Sequence, residues 1–171
     1  VAALEAEARA AAEAEAATLA RYQSQFFAAL ADILETREDV RVVGDRFVFS
    51  SEVLFQEGSD ALSPEGRGEI AGVAEILVDL SAQIPEDVDW VLRVDGHTDD
   101  TPLRAGGRFA DNWELSQARA LSVVRYLSEE LGIPPRRLSA NGFGEHRPLI
   151  GDDTLEARAA NRRIELKLTQ R

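Results

Sequence analysis

Cysteine and methionine are both absent from the 171 residues, which removes disulfide frameworks, thiolate metal sites and thiol redox chemistry from consideration. Aromatic residues amount to only 6%, and nowhere do eighteen apolar residues run together. No stretch of this sequence therefore reads as a membrane span or a secretory signal. Positive charge is scarce too: 19 Lys and Arg against 31 Asp and Glu leave a net charge of −12. Such a surface repels phosphate backbones and anionic bilayers, so nucleic acid is excluded as a partner. Small ligands that need only one or two placed charges stay open.

What is present falls into two parts. Residues 1–38 are rich in Ala and Glu, with no Gly or Pro before Gly44, and read as one helical stalk from Val1 to about Glu35. From Leu19 onward, Leu19, Tyr22, Phe26, Ala29 and Ile33 recur at alternating spacings of three and four, with Phe27, Leu30 and Leu34 beside them. That stripe resembles a coiled-coil seam, but two good heptads leave its partner open: its own domain, or a second copy in a parallel homodimer. Residues 39–171 have the mixed composition of one globular domain. The first residue is Val1 and not Met, which points to a piece of something longer.

Within the second part, Val40 to Val43 and Arg46 to Ser50 are β-type runs joined by Gly44-Asp45, a two-residue hairpin signal. Ser63 caps and Pro64 opens a helix whose apolar face is Ile70, Val73, Ala74, Ile76, Leu77 and Leu80. Trp90 to Asp95 alternates as a strand, with Trp90, Leu92 and Val94 on one face and Val91, Arg93 and Asp95 on the other. Thr101 to Ala110, with Pro102, Gly106 and Gly107, is predicted to be a mobile loop. Asp111 or Asn112 then caps a second long helix running to Leu131, stopped by Gly132, Pro134 and Pro135. Leu138 to Phe143 is a short strand, Thr154 to Asn161 a short helix, and Ile164 to Leu168 a half-buried strand. Helices and strands alternating in this way predict two helices packed on one face of a small sheet.

The chemistry gathers between Asp95 and Leu131. Asp95, His97, Asp99 and Asp100 follow an apolar strand, and Arg119 sits in the early turns of the next helix. Strand ends and helix starts converge in such units, so Asp99 and Arg119 are predicted to face a common ligand. The carboxylate suits an ammonium and the guanidinium fork a carboxylate, while the helix start adds backbone N–H groups that favour an anion. The bland alternative is that Asp99 and Arg119 pair with each other or with solvent. A metal-dependent hydrolase using Asp95, His97 and Asp99 is the catalytic competitor. Only one imidazole is near, however, and no His-x-x-x-His spacing supports it. Ser116 and Ser122 have no His at helical spacing to activate them. His146 reads as a surface loop residue, Gly142 and Gly144 as a bulge or tight bend, and Trp90 and Trp113 as core or cap-packing residues.

Read together, Val53-Leu-Phe-Gln-Glu-Gly-Ser-Asp-Ala-Leu, Asp95-Gly-His-Thr-Asp, Asn112-Trp-Glu-Leu-Ser-Gln-Ala-Arg-Ala, Leu138-Ser-Ala-Asn-Gly-Phe-Gly-Glu and Asn161-Arg-Arg-Ile-Glu-Leu resemble the OmpA-like peptidoglycan-binding domain over residues 47–169. The Asn-Trp-Glu-Leu-Ser form and the Thr-Pro after the second Asp lean toward its motility protein B branch, the wall anchor of flagellar stators and related ion-driven complexes. The resemblance implies an α+β two-layer sandwich, a small mixed four-stranded sheet with two main helices on one face, preceded by the long helix. It implies a non-catalytic domain without cofactor or metal that grips the diaminopimelate residue of peptidoglycan. Asp99 would take the ammonium and Arg119 the carboxylate, with Thr101, Asn112 and Leu115 supporting and one or both of Arg162 and Arg163 completing the pocket. Two departures stand out: the 102–110 loop is long, and Gln56 stands where many members have Asp, which puts contacts from the 55–60 loop in doubt. The resemblance further implies a periplasmic domain, a homodimer, and a MotA-like or other ion-channel membrane subunit reached through an inner-membrane segment upstream of Val1.

Overall fold

The computed structural model describes residues 1–34 and 40–171, and of Ile33 and Leu34 the backbone alone. The expected boundary between residues 38 and 39, and the side chains of Ile33 and Leu34 in the apolar stripe, lie outside the described residues.

In chain order the elements are α1 (Ala2–Leu34), β1 (Val40–Val43), β2 (Arg46–Ser50), the single turn α2 (Ser51–Leu54), α3 (Pro64–Ser81), β3 (Trp90–His97), α4 (Asn112–Arg125), β4 (Leu138–Gly142), α5 (Leu155–Asn161) and β5 (Arg163–Gln170). The caps form where the sequence places them. Ser63 Oγ accepts from the Gly66 amide at 2.9 Å with Pro64 opening α3, and Thr154 Oγ1 accepts from Ala157 at 3.1 Å. For α4 the cap is Asp111, whose Oδ1 accepts from Glu114 N at 2.9 Å. The second long helix does not run evenly to Leu131; after Arg125 it widens into a π-helical turn, Tyr126–Glu130.

The sheet has the order β1-β2-β5-β3-β4, mixed because β3 and β4 run parallel while the other pairs are antiparallel. It has five strands where four are expected. The extra strand is the outer arm of the β1–β2 hairpin, turned at Gly44 (φ 62°), and it adds little to the core because three of its four residues are exposed.

Alternation along the strands gives the sheet two unlike faces. Phe47, Phe49, Leu92, Val94, Ile164, Leu166 and Leu168 point toward the helices and are buried with the apolar sides of α3 and α4. The opposite face carries charge: Arg93, Asp95 and His97 stand across from Lys167, Glu165 and Arg163. The question of what covers the α1 stripe is answered within the chain. Leu19, Tyr22, Phe26 and Leu30 join the core, Phe26 meets Phe47 edge-on at 6.2 Å, and Tyr22 donates its hydroxyl proton to the Gln83 carbonyl at 2.9 Å. Residues 1–14, by contrast, are exposed throughout.

The closest approach between layers is made by two glycines in register on β3 and β4. A Cβ at Gly96 would stand 2.2 Å from the Ser116 carbonyl oxygen, and one at Gly142 would stand 2.6 Å from the Gln117 amide nitrogen. Gly142 is therefore a contact residue for α4 and not a bulge. Without side chains here, α4 lies directly on the strands.

Candidate binding site

Four segments meet at the end of β3 away from the hairpin turn: the loop after β3, the first turns of α4, the loop after α2, and the junction of α5 with β5. Asp99 is the hinge of this group. Its Oδ1 accepts from the Thr101 amide at 2.9 Å, fixing an Asx turn, and its Oδ2 accepts from Arg162 Nη1 at 2.6 Å. Asn112 ties the same loop to α4, donating to the carbonyls of Thr101 (3.1 Å) and Asp99 (3.4 Å). Arg162 is held on its other side by Glu52, through Nε at 3.1 Å and a second contact from Nη2, while the Ser51 amide donates to the Arg162 carbonyl at 3.0 Å. Partial burial works against the Arg162 charge, and the hydrogen bonds to Asp99 and Glu52 more than offset it, holding its pKa above the ordinary value.

Arg119 is placed differently. It is only 7% exposed, donates through Nε to the Ser59 carbonyl at 2.9 Å and lies 5.1 Å over the Phe55 ring. It pairs with no carboxylate among the described residues. Burial lowers its pKa, the Arg162 charge adds to that, and Asp60 and Asp99 oppose it. Arg119 and Arg162 together line a cavity of about 520 Å³ with Glu52, Phe55 and Gln56. The result is a pocket with two guanidiniums on its wall, one hydrogen-bonded to carboxylates and one with no carboxylate hydrogen bond among the described residues.

Asp99 and Arg119 thus do not pair with each other; Asp99 takes Arg162, and Arg119 keeps its terminal nitrogens for the cavity. Thr101 serves through its backbone. Leu115 is buried one turn before Arg119 on the same side of α4. Of the two arginines left open by the sequence, Arg162 joins the group. Arg163 sits on the opposite face of the sheet, bonded to Glu165 (2.6 Å) and to the Arg147 carbonyl (2.8 Å), so it lines no part of this cavity. The expected anion position at the start of α4 is occupied by the carboxylate of Asp111. The 55–60 loop, doubtful because of Gln56, does line the cavity. Glu52 was not picked out from the sequence; it lies one residue before the Val53-Leu-Phe-Gln motif, and its local sign is an acid in the first turn after a Ser cap.

A profile of the OmpA family matches residues 54–162. The chain belongs to the OmpA family. Motility protein B of Helicobacter pylori is 33% identical over 117 residues, covering 68% of this chain and 42% of that protein. Among solved structures, a MotB-like protein from Desulfovibrio vulgaris superposes with a TM-score of 0.73 at 29% identity, covering 90% of this chain and 94% of that one. The cell wall anchor of the T6SS from Pseudomonas aeruginosa gives 0.68 at 27% identity, covering 82% and 94%. The chain spans between 30% and 41% of the length of the first curated relatives it matches. It is an OmpA-family domain of the motility protein B type, and its five-stranded α+β architecture agrees with those neighbours.

In this OmpA-family domain the residues of the hydrolase alternative are dispersed. Asp95 accepts from Arg93 (2.8 Å) and Asn141 (2.9 Å) on the charged sheet face, whereas Asp99 serves Arg162 and Thr101. Among the described residues no three His, Asp or Glu are grouped so as to hold a metal ion, and neither the family nor the geometry supports that alternative. His97 is buried against Phe143, stacked at 5.1 Å with 7° between the rings. Trp113 is half exposed and stacks on the exposed His146 at 4.7 Å, so it is not a core residue.

Burial, with the nearby Arg163, Arg46 and Arg147, holds the His97 pKa down to about 4 against the partial opposition of Glu165. The unfolded chain binds this proton near the ordinary value of 6.5 and the folded one does not. The stability due to neutral His97 is therefore full above that value and is lost as pH falls from 6.5 toward 4, by about 3 kcal/mol in all. Imidazole titration by NMR should show a midpoint near 4, and a midpoint near 6.5 would contradict the burial argument.

Proposed function

We propose that this domain is a non-catalytic wall anchor that takes the diaminopimelate residue of peptidoglycan into the cavity lined by Arg119 and Arg162, with Asp99 behind Arg162 at its edge. The observation that carries the reading is Arg119, a buried guanidinium that pairs with no carboxylate among the described residues, which costs stability until something anionic completes it. A free amino-acid centre supplies what is missing: its carboxylate reaches the Arg119 terminal nitrogens, and its ammonium reaches the lone pairs that Asp99 keeps beyond its two present bonds. The kinship with a T6SS cell wall anchor and with the periplasmic domain of Helicobacter pylori MotB supports the same role and a periplasmic location.

In this reading the exposed start of α1 is the stalk, continuing toward an inner-membrane segment and a MotA-like ion-channel subunit. Since Leu19 to Leu30 are used inside the chain, a homodimer would form through residues 1–14 and what precedes them. Cosedimentation with purified peptidoglycan tests the core claim. The domain should pellet with the wall and be released by free diaminopimelate; a domain that stays in the supernatant ends the proposal.

A further inference from the structure

The charged face of the sheet encloses a second cavity, of about 720 Å³, roofed by the 143–149 loop and unrelated to the wall site. Four of its lining residues are arginines, Arg46, Arg93, Arg147 and Arg163. Against them stand Glu165, shared by Arg46 (2.8 Å) and Arg163 (2.6 Å), and Asp95, held by Arg93 (2.8 Å). Asp45 also pairs with Arg46 (3.8 Å) and with Lys167 (3.1 Å), so five cations face three carboxylates among the described residues and two positive charges are left over, in a chain whose net charge is −12.

His97 forms the floor. It is 3% exposed, and neither ring nitrogen has a hydrogen-bond partner among the described residues, although Nε2 lies 3.8 Å from Glu165 Oε2. A neutral imidazole always has one N–H to donate, and leaving it unsatisfied in a buried place costs free energy. Arg147 stands at the rim, pairing with no carboxylate among the described residues; its backbone is pinned by Arg163 and its guanidinium lies 6.0 Å from the Phe143 ring centre.

We propose that this cavity is a second binding site, for a phosphate group, held by the Arg147 guanidinium, the remaining N–H groups of Arg46 and Arg163, and the His97 N–H. A cation would meet four guanidiniums and only carboxylates already doubly bonded or paired. A phosphate has enough acceptor oxygens to satisfy the forks and the imidazole together. The acidic remainder of the surface disfavours a bilayer, so the group arrives either as the free ion or as the ester of a small sugar.

The test follows the His97 imidazole resonances of the full chain by NMR during titration with inorganic phosphate and, separately, with glucose 6-phosphate. Saturable shifts with either probe, weakened at least tenfold by Arg147→Ala while peptidoglycan cosedimentation stays intact, support the site. Saturation by the inorganic ion identifies the free anion as sufficient, and saturation by the ester alone identifies a sugar-borne group. Absence of saturable shifts with both probes overturns it, as does binding that survives both Arg147→Ala and Arg46→Ala. Because the readout is on His97 in the unaltered chain, a variant that fails to fold does not decide the result.

Discussion

Arg119→Met should abolish cosedimentation with peptidoglycan while leaving the thermal midpoint unchanged or higher. Among the described residues the guanidinium is buried with one hydrogen bond, to Ser59, and an aromatic face, from Phe55, but pairs with no carboxylate. Such a charge is a net cost to the folded state, and an apolar chain of similar volume removes it. Binding moves the other way, since losing one partner of a buried charged hydrogen bond costs about 2 to 5 kcal/mol. Arg119→Lys should fail to restore binding, because an ammonium does not offer the fork that holds a carboxylate through two bonds. Asp99→Asn should also lose the wall. It removes the ammonium's acceptor and loosens Arg162, although Glu52 still holds that arginine. Full retention of the wall by both Arg119→Met and Asp99→Asn would remove the site assignment, and a large fall in stability with Arg119→Met would show that the residue is structural.

Gly96→Ala should destabilise the domain more than any single truncation of an exposed residue. The new methyl would stand 2.2 Å from the Ser116 carbonyl oxygen, which is helix backbone and cannot rotate aside. Either α4 lifts from β3 or the strand bends, at a cost of ~3 kcal/mol. For a domain of this size that lowers the midpoint by roughly 10 °C. Arg119 rides on the same helix, so the folded fraction should also bind the wall less tightly. Calorimetry together with cosedimentation below the transition checks both effects. A midpoint within two degrees of the parent would mean that α4 and β3 leave room for a methyl group between them.

The elements were legible wherever one local rule governed them. The Gly44-Asp45 turn, the Ser63-Pro64 helix start and the strict alternation of Trp90 to Asp95 each needed only neighbouring residues. The number of strands in the sheet was less so, because β1 is an exposed edge whose membership depends on pairing with β2 rather than on its own pattern. Residue types at the site were legible as well: Asp99 and Arg119 stood out as an acid and a base that the topology could bring together. Their pairing did not, because Arg162 reaches Asp99 from 63 residues away and Glu52 reaches Arg162 from 110 residues away. Periodicity could assign Arg162 and Arg163 to opposite faces. Only the closed sheet shows that one face carries the cavity beside Asp99 and the other a separate cluster around Glu165.

Four side chains of α1, Leu19, Tyr22, Phe26 and Leu30, sit in the core of the sheet layer. Mechanically this makes the helix a lever fixed at one end rather than a tether. A pull applied at Val1 enters the sheet through those four residues, before the chain has run on to β1, and it loads the packed interface in shear along the helix. A wall grip at the proposed site, at the far end of β3, would then work against a rigid mount, so that force is passed on through the domain rather than spent in stretching it.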